Sequence, residues 1–128
     1  MDQQETRDHH CEEMAEKTPE TCARMMLPVK DALEVLSGKW KLPIIVSLTL
    51  GTKRFRQIAR DIGGITDKML SKELKELEEH QLIKRTVHDT FPPKVEYEIT
   101  EHGESLSDMI KELREWGLKH RERIMGNP

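Results

Sequence analysis

The chain has 128 residues, enough for one domain with a real core, and its 35% charged content equals its hydrophobic content. No apolar run approaches a membrane span, the N-terminus MDQQETRDHH lacks the basic start and apolar stretch of a secretory signal, and two cysteines are too few for a disulfide framework, so a cytoplasmic protein is expected. The net charge of −3 is uneven: residues 1–21 carry seven acids and two bases, residues 38–94 twelve bases and seven acids, and residues 95–128 five bases and eight acids, so only the middle segment has the positive balance that phosphate contact wants.

Residues 1–21 are polar and acidic with no helical apolar stripe, and read as a flexible arm ahead of a domain spanning 22–128. His9, His10, Cys11 and Cys22 match no familiar zinc spacing, so no metal site is expected. Proline at position 28 opens a short helix over 28–36 with Val29, Ala32, Leu33 and Leu36 as its apolar face. Trp40 is expected in the core. The apolar run 42–50 carries Pro43, which suits the first turn of a helix and not a central strand, so a buried helix is expected.

A helix-turn-helix follows. Phe55, Ile58, Ala59 and Ile62 mark a helix over 55–62, Gly63-Gly64 permits a sharp turn, and a second helix runs over 67–80. In that second helix Leu70, Leu74 and Leu77 share one face, while Lys68, Lys72 and Lys75, with Ser71 beside them, form the opposite wall. Thr66 can cap it and Asp67 suits the positive end of its dipole. Then the period changes from helical to alternating: Val95, Tyr97 and Ile99 against Glu96 and Glu98, with Ile83 and Val87 weaker upstream. Asp89-Thr90-Phe91-Pro92-Pro93 between them is a hairpin tip, with Phe91 expected to pack beneath it. A hairpin directly after a basic second helix is the wing of a winged helix.

Thr100 caps a last helix over 103–125, striped with Leu106, Met109, Ile110, Leu113, Trp116, Gly117, His120 and Ile124. A domain of this size covers only part of such a stripe. The remainder is expected to meet the same helix of a second chain about a two-fold axis, with Trp116 as anchor and the 22–36 segment alongside. The fold class is α+β, a winged helix-turn-helix with an added C-terminal dimerisation helix.

In order and spacing together, several stretches resemble the HxlR family of bacterial winged-helix transcription regulators. They are Gly38-Lys39-Trp40-Lys41, Lys53-Arg54-Phe55, Gly64-Ile65-Thr66-Asp67-Lys68-Met69-Leu70-Ser71, residues 74–78, Leu82-Ile83-Lys84-Arg85-Thr86-Val87, Pro92-Pro93-Lys94-Val95-Glu96-Tyr97 and Thr100-Glu101-His102-Gly103. The resemblance covers about residues 27–117. It implies sequence-specific DNA binding by a transcription regulator, and the two-fold dimer expected from the last helix makes the operator an inverted repeat. The chain departs from the family at Leu27, where members often carry a cysteine before the proline, used by some to sense oxidants or electrophiles. The nearest cysteine is Cys22, five residues upstream, with only Arg24 as a close base and Glu20 opposing it, so a thiol of ordinary reactivity is expected. Lys94 stands where arginine is usual, keeping the charge without the forked donor.

DNA contacts are expected from Thr66, Lys68, Ser71, Lys72, Lys75, Arg85 and Lys94. No catalytic residue, metal or cofactor is expected, because no serine or cysteine is paired with histidine in a familiar motif and no glycine-rich phosphate loop occurs. Two rival readings are a winged helix serving protein interaction without DNA, and a ligand-responsive regulator with a pocket near the dimer helices. The lysine wall and the basic hairpin tip favour DNA.

Overall fold

The computed structural model describes residues 17–126, which fall into two compact units, one ending at Ser37 and the next beginning at Gly38. His9, His10, Cys11 and most of the expected arm lie outside the described residues.

The described residues of the first unit form a helix, α1 (Pro19–Val35), nine residues longer at its start than the sequence reading placed it. The Thr18 hydroxyl accepts from the Thr21 N–H at 3.1 Å, and Pro19 occupies the first helical position, where no N–H is needed. Pro28 is therefore inside the helix and does not open it; the ladder simply lacks the bond that a residue 28 N–H would donate to the Arg24 carbonyl. Residues 19–21 of the expected arm are helical, and Cys22 sits within the helix instead of ahead of it, exposed, with its Sγ 3.9 Å from Met26 Sδ. Leu27, Val29 and Leu33 are exposed along this helix.

The second unit builds outward from α2 (Lys41–Thr49), whose Ile44, Ile45 and Leu48 are buried. Pro43 lies in its first turn, where backbone donors have no intrahelical partner anyway. Against α2 pack α3 (Phe55–Ile62), through Ile58, and α4 (Asp67–Glu79), through Leu70, Leu74 and Leu77. Each such leucine or isoleucine contributes about 1.5–3 kcal/mol of burial. Between α3 and α4 the chain reverses on Gly63 and Gly64, at φ 70° and 71°, a left-handed pair that residues with a Cβ rarely adopt.

Helix α4 ends in a Schellman motif: the Leu82 N–H donates to the Leu77 carbonyl and the Gln81 N–H to the Glu78 carbonyl, both at 3.0 Å. Gln81 holds φ 62° where glycine is usual. Strands β1 (Ile83–His88) and β2 (Lys94–Ile99) then pair antiparallel from Ile83 opposite Ile99 to His88 opposite Lys94. A one-residue bridge ties this hairpin back to the helices: the Lys53 N–H donates to the Tyr97 carbonyl at 2.9 Å, and the Tyr97 N–H to the Lys53 carbonyl at 2.8 Å.

Three expectations are corrected here. Phe91 does not pack under the hairpin; it is fully exposed, because the tip projects beyond the last strand pair and there is no core beneath it. Trp40 is half-buried, with Lys39 Nζ 4.6 Å above its ring, since it caps the start of α2 at the edge of the core. The last helix is broken. Thr100 caps a single turn, α5 (Glu101–Glu104), by accepting from the Gly103 N–H at 3.0 Å, and α6 (Ser107–Met125) starts anew beyond Ser105 and Leu106. Gly103 belongs to that turn and is buried against the Leu82 carbonyl and the Ile99 side chain.

Candidate nucleic-acid interface

The burial of Leu70, Leu74 and Leu77 aims the other side of α4 outward. Lys68, Ser71, Lys72 and Lys75 are all exposed there. Thr66, also exposed, accepts from the Met69 N–H at 3.1 Å, so its hydroxyl is already committed to capping. None of Lys68, Lys72 and Lys75 is held in an ion pair among the described residues, whereas Lys41, Lys53, Arg56 and Lys94 all are. Unpaired like charges on one helix face repel one another, and a polyanion relieves that repulsion. The structure brings Arg85 to this wall: it lines one depression with Ser71, Lys75, Glu78 and Tyr97.

The remaining predicted contact, Lys94, is not on that surface. It lines a separate groove of ≈ 760 Å³ with Arg54, Arg56, Arg60, Phe55 and Val95, between the start of α3 and β2. Sequence reasoning left these arginines out of the site. Arg56 and Arg60 were visible on the polar side of their helix, but grouping them with Lys94 takes the fold, through the Lys53–Tyr97 bridge. Arg56 links the groove to the lysine wall, since its Nη1 and Nη2 donate to both carboxylate oxygens of Asp67, at 3.0 and 2.9 Å, at the first turn of α4.

Lys94 Nζ lies 3.3 Å from Glu96 Oε1, which also takes His88 Nε2 at 2.8 Å. The Lys94 hydrogen bond, with the charges of Lys94 and His88 beside it, holds the Glu96 carboxyl below its usual range. Lys94 therefore has a carboxylate to exchange for a phosphate. Replacing Lys94 with alanine is expected to weaken cognate and random duplexes almost equally, read by fluorescence anisotropy. A loss confined to cognate DNA means that the wing reads bases.

Behind this surface the helices are fixed by polar contacts. Lys53 pairs with Asp61, and Ser47 Oγ donates to Asp61 Oδ2 at 2.8 Å, which together draw the Asp61 carboxyl below its usual range. Lys41 lies between Glu73 and Glu76 of α4. No signal in the sequence marked either arrangement.

Along α6 the predicted stripe divides. Leu106, Met109, Ile110 and Gly117 are half-buried, while Leu113, Trp116, His120 and Ile124 are exposed. The Trp116 and His120 rings stack with centroids 4.9 Å apart. Ile110 and Leu113 line an apolar groove of ≈ 670 Å³ with Leu42, Val46 and Leu50 of α2 and its end, edged by Asp61 and Arg114. Among the described residues no group of three or more His, Cys, Asp or Glu could hold a metal, and no helix is long and apolar enough to cross a membrane.

A three-helix core whose second turn-helix turns a wall of lysines outward, followed by a hairpin tied back to it, is a winged helix-turn-helix, the DNA-binding domain of a transcription regulator. The HxlR-like helix-turn-helix family model matches residues 35–125, and the chain belongs to that family. It is 44% identical over 101 residues to the uncharacterized HTH-type transcriptional regulator YtcD of Bacillus subtilis (strain 168), covering 79% of this chain and 80% of that one. A crystal structure of the regulator ytcD superposes with TM-score 0.70 at 46% identity, over 72% of this chain and 94% of its own. The redox regulator HypR in its reduced form superposes with TM-score 0.73 at 37% identity, over 78% and 99%.

Proposed function

We propose that this protein is a sequence-specific DNA-binding transcription regulator that works in the cytoplasm as a homodimer on an inverted-repeat operator, by binding and without catalysis. Lys68, Ser71, Lys72 and Lys75 enter the major groove with Thr66 at the leading end, Arg85 beside them and Lys94 on the flanking backbone. Arg54, Arg56 and Arg60 extend the Lys94 contact. The observation that carries the reading is the wall of exposed lysines without ion-pair partners on the helix whose other face is core.

Partners pair through α6, with Leu106, Met109, Ile110, Leu113, Trp116, Gly117, His120 and Ile124 along the seam. Its support is the exposed apolar surface at Leu113, Trp116 and Ile124, beyond what one copy covers. Half-site centres then lie about 10 base pairs apart, or a multiple of that.

Salt titrations of operator affinity test the lysine wall. Lys72→Ala and Lys75→Ala are each expected to reduce the log–log salt slope by about one unit. Wild-type affinity and slope in both variants would remove α4 from the interface. Cys22, exposed and five residues from the family's sensor position, is expected to leave DNA affinity unchanged under diamide. A loss of affinity in the wild type that Cys22→Ser abolishes would overturn that.

A further inference from the structure

We propose that Lys41 is a positioning residue for DNA reading, which sets the rotation and axial register of α4 by clamping Glu73 and Glu76; the inference rests on α4 being the helix that reads DNA. Lys41 opens α2 and is 3% exposed, with Nζ 2.6 Å from Glu73 Oε2 and 2.5 Å from Glu76 Oε2. Glu73 is itself 6% exposed. The two carboxylates are three residues apart, on the flank of α4 between its leucine face and its lysine wall.

The leucine face fixes how deep α4 sits, but the burial that drives it is non-directional and does not by itself select one rotation about the helix axis. Two short charge-assisted hydrogen bonds to one buried ammonium are directional and define both rotation and axial register. Rotation about that axis is the motion that would sweep Lys68, Ser71 and Lys72 across base edges. Base contacts demand hydrogen-bond geometry, whereas long lysines follow a phosphate through a small displacement. A buried ion cluster adds little stability over an apolar seam of the same volume, so its contribution here is geometric. Burial alone would lower the Lys41 pKa; the hydrogen bonds and charges of Glu73 and Glu76 outweigh it and raise the pKa, so the clamp stays charged at working pH.

The test compares wild type, Lys41→Met, and the triple variant Lys41→Met/Glu73→Gln/Glu76→Gln. Each is titrated with its selected operator and with random duplex over a range of salt, at a temperature where circular dichroism shows it folded. In Lys41→Met, operator affinity is expected to fall about tenfold to a hundredfold while the salt slope is kept and random-duplex affinity stays within about threefold. The triple variant leaves no carboxylate stranded beside a missing cation. It is expected to regain thermal stability without regaining the operator-to-random ratio, and it decides the question alone if Lys41→Met does not fold. Recovery of the ratio together with stability assigns Lys41 a merely structural role and overturns the proposal, as does an unchanged ratio in both variants. Wild type without preference for any duplex overturns the DNA reading itself, a separate result.

Discussion

A protein carrying Trp116→Asp and Ile124→Asp is expected to sediment as a folded monomer and to lose about two orders of magnitude of affinity for an inverted-repeat operator. Trp116 is 64% exposed and Ile124 67% exposed in the single chain, and neither is part of the core of its own unit. Aspartate at these positions costs the isolated fold little. In a paired α6 seam the same changes bury unpaired carboxylates, which association cannot offset. The loss of DNA affinity follows from linkage: two tethered half-site readers gain an effective concentration that two separate ones lack. Binding to a single half-site should be almost untouched. Sedimentation velocity at micromolar concentration and anisotropy on full and half operators check the two parts separately. If the variant remains dimeric, the outer half of α6 is not the interface. If the wild type is monomeric, the dimer itself is wrong.

Gly103→Ala is expected to cost about 3 kcal/mol and to lower Tm by roughly 10–15 °C, measured by thermal denaturation. A Cβ at that position would lie 2.2 Å from the Leu82 carbonyl oxygen and 2.6 Å from Ile99 Cγ1. The first obstacle is backbone, and it cannot rotate aside, because the same carbonyl accepts the Thr100 N–H at 3.1 Å and Leu82 closes the end of α4. The substitution thus pushes at once on α4, the hairpin and the turn leading to α6. A change in Tm within 3 °C would mean that this junction is more yielding than its geometry says.

Both variants act where the sequence was only partly legible. The leucine spacing in α4 and the Thr66 cap were readable because a helix against a core repeats its apolar positions, and α3 was found with its observed ends for the same reason. The alternation through Val95, Tyr97 and Ile99 marked β2 equally well. The start of α1 was misplaced because Pro28 outweighed the Thr18-Pro19 signal that caps the helix. Glycine at position 103 reads as an ordinary helix residue; only the approach of Leu82 from 21 positions away shows why a side chain does not fit. Lys41, Glu73 and Glu76 look like solvated charges one at a time, and the pairing of residues 32 and 35 apart carries no local period. A bridge of one residue, such as Lys53 with Tyr97, has no period at all.

The attachment of the hairpin also decides which lengths of it can drift in evolution. Its base is fastened twice, by the Lys53–Tyr97 bridge and by the Thr100 N–H on the Leu82 carbonyl. One residue inserted between Ile83 and His88, or between Lys94 and Ile99, would turn every later side chain to the opposite face and carry Arg85 and Tyr97 away from α4. Insertions or deletions within residues 89–93 change neither fastening nor register. Each residue added to both arms there lengthens the hairpin by about 3.3 Å. Length polymorphism among relatives should therefore gather at this tip, beside the exposed Phe91, while the paired segments keep a constant count.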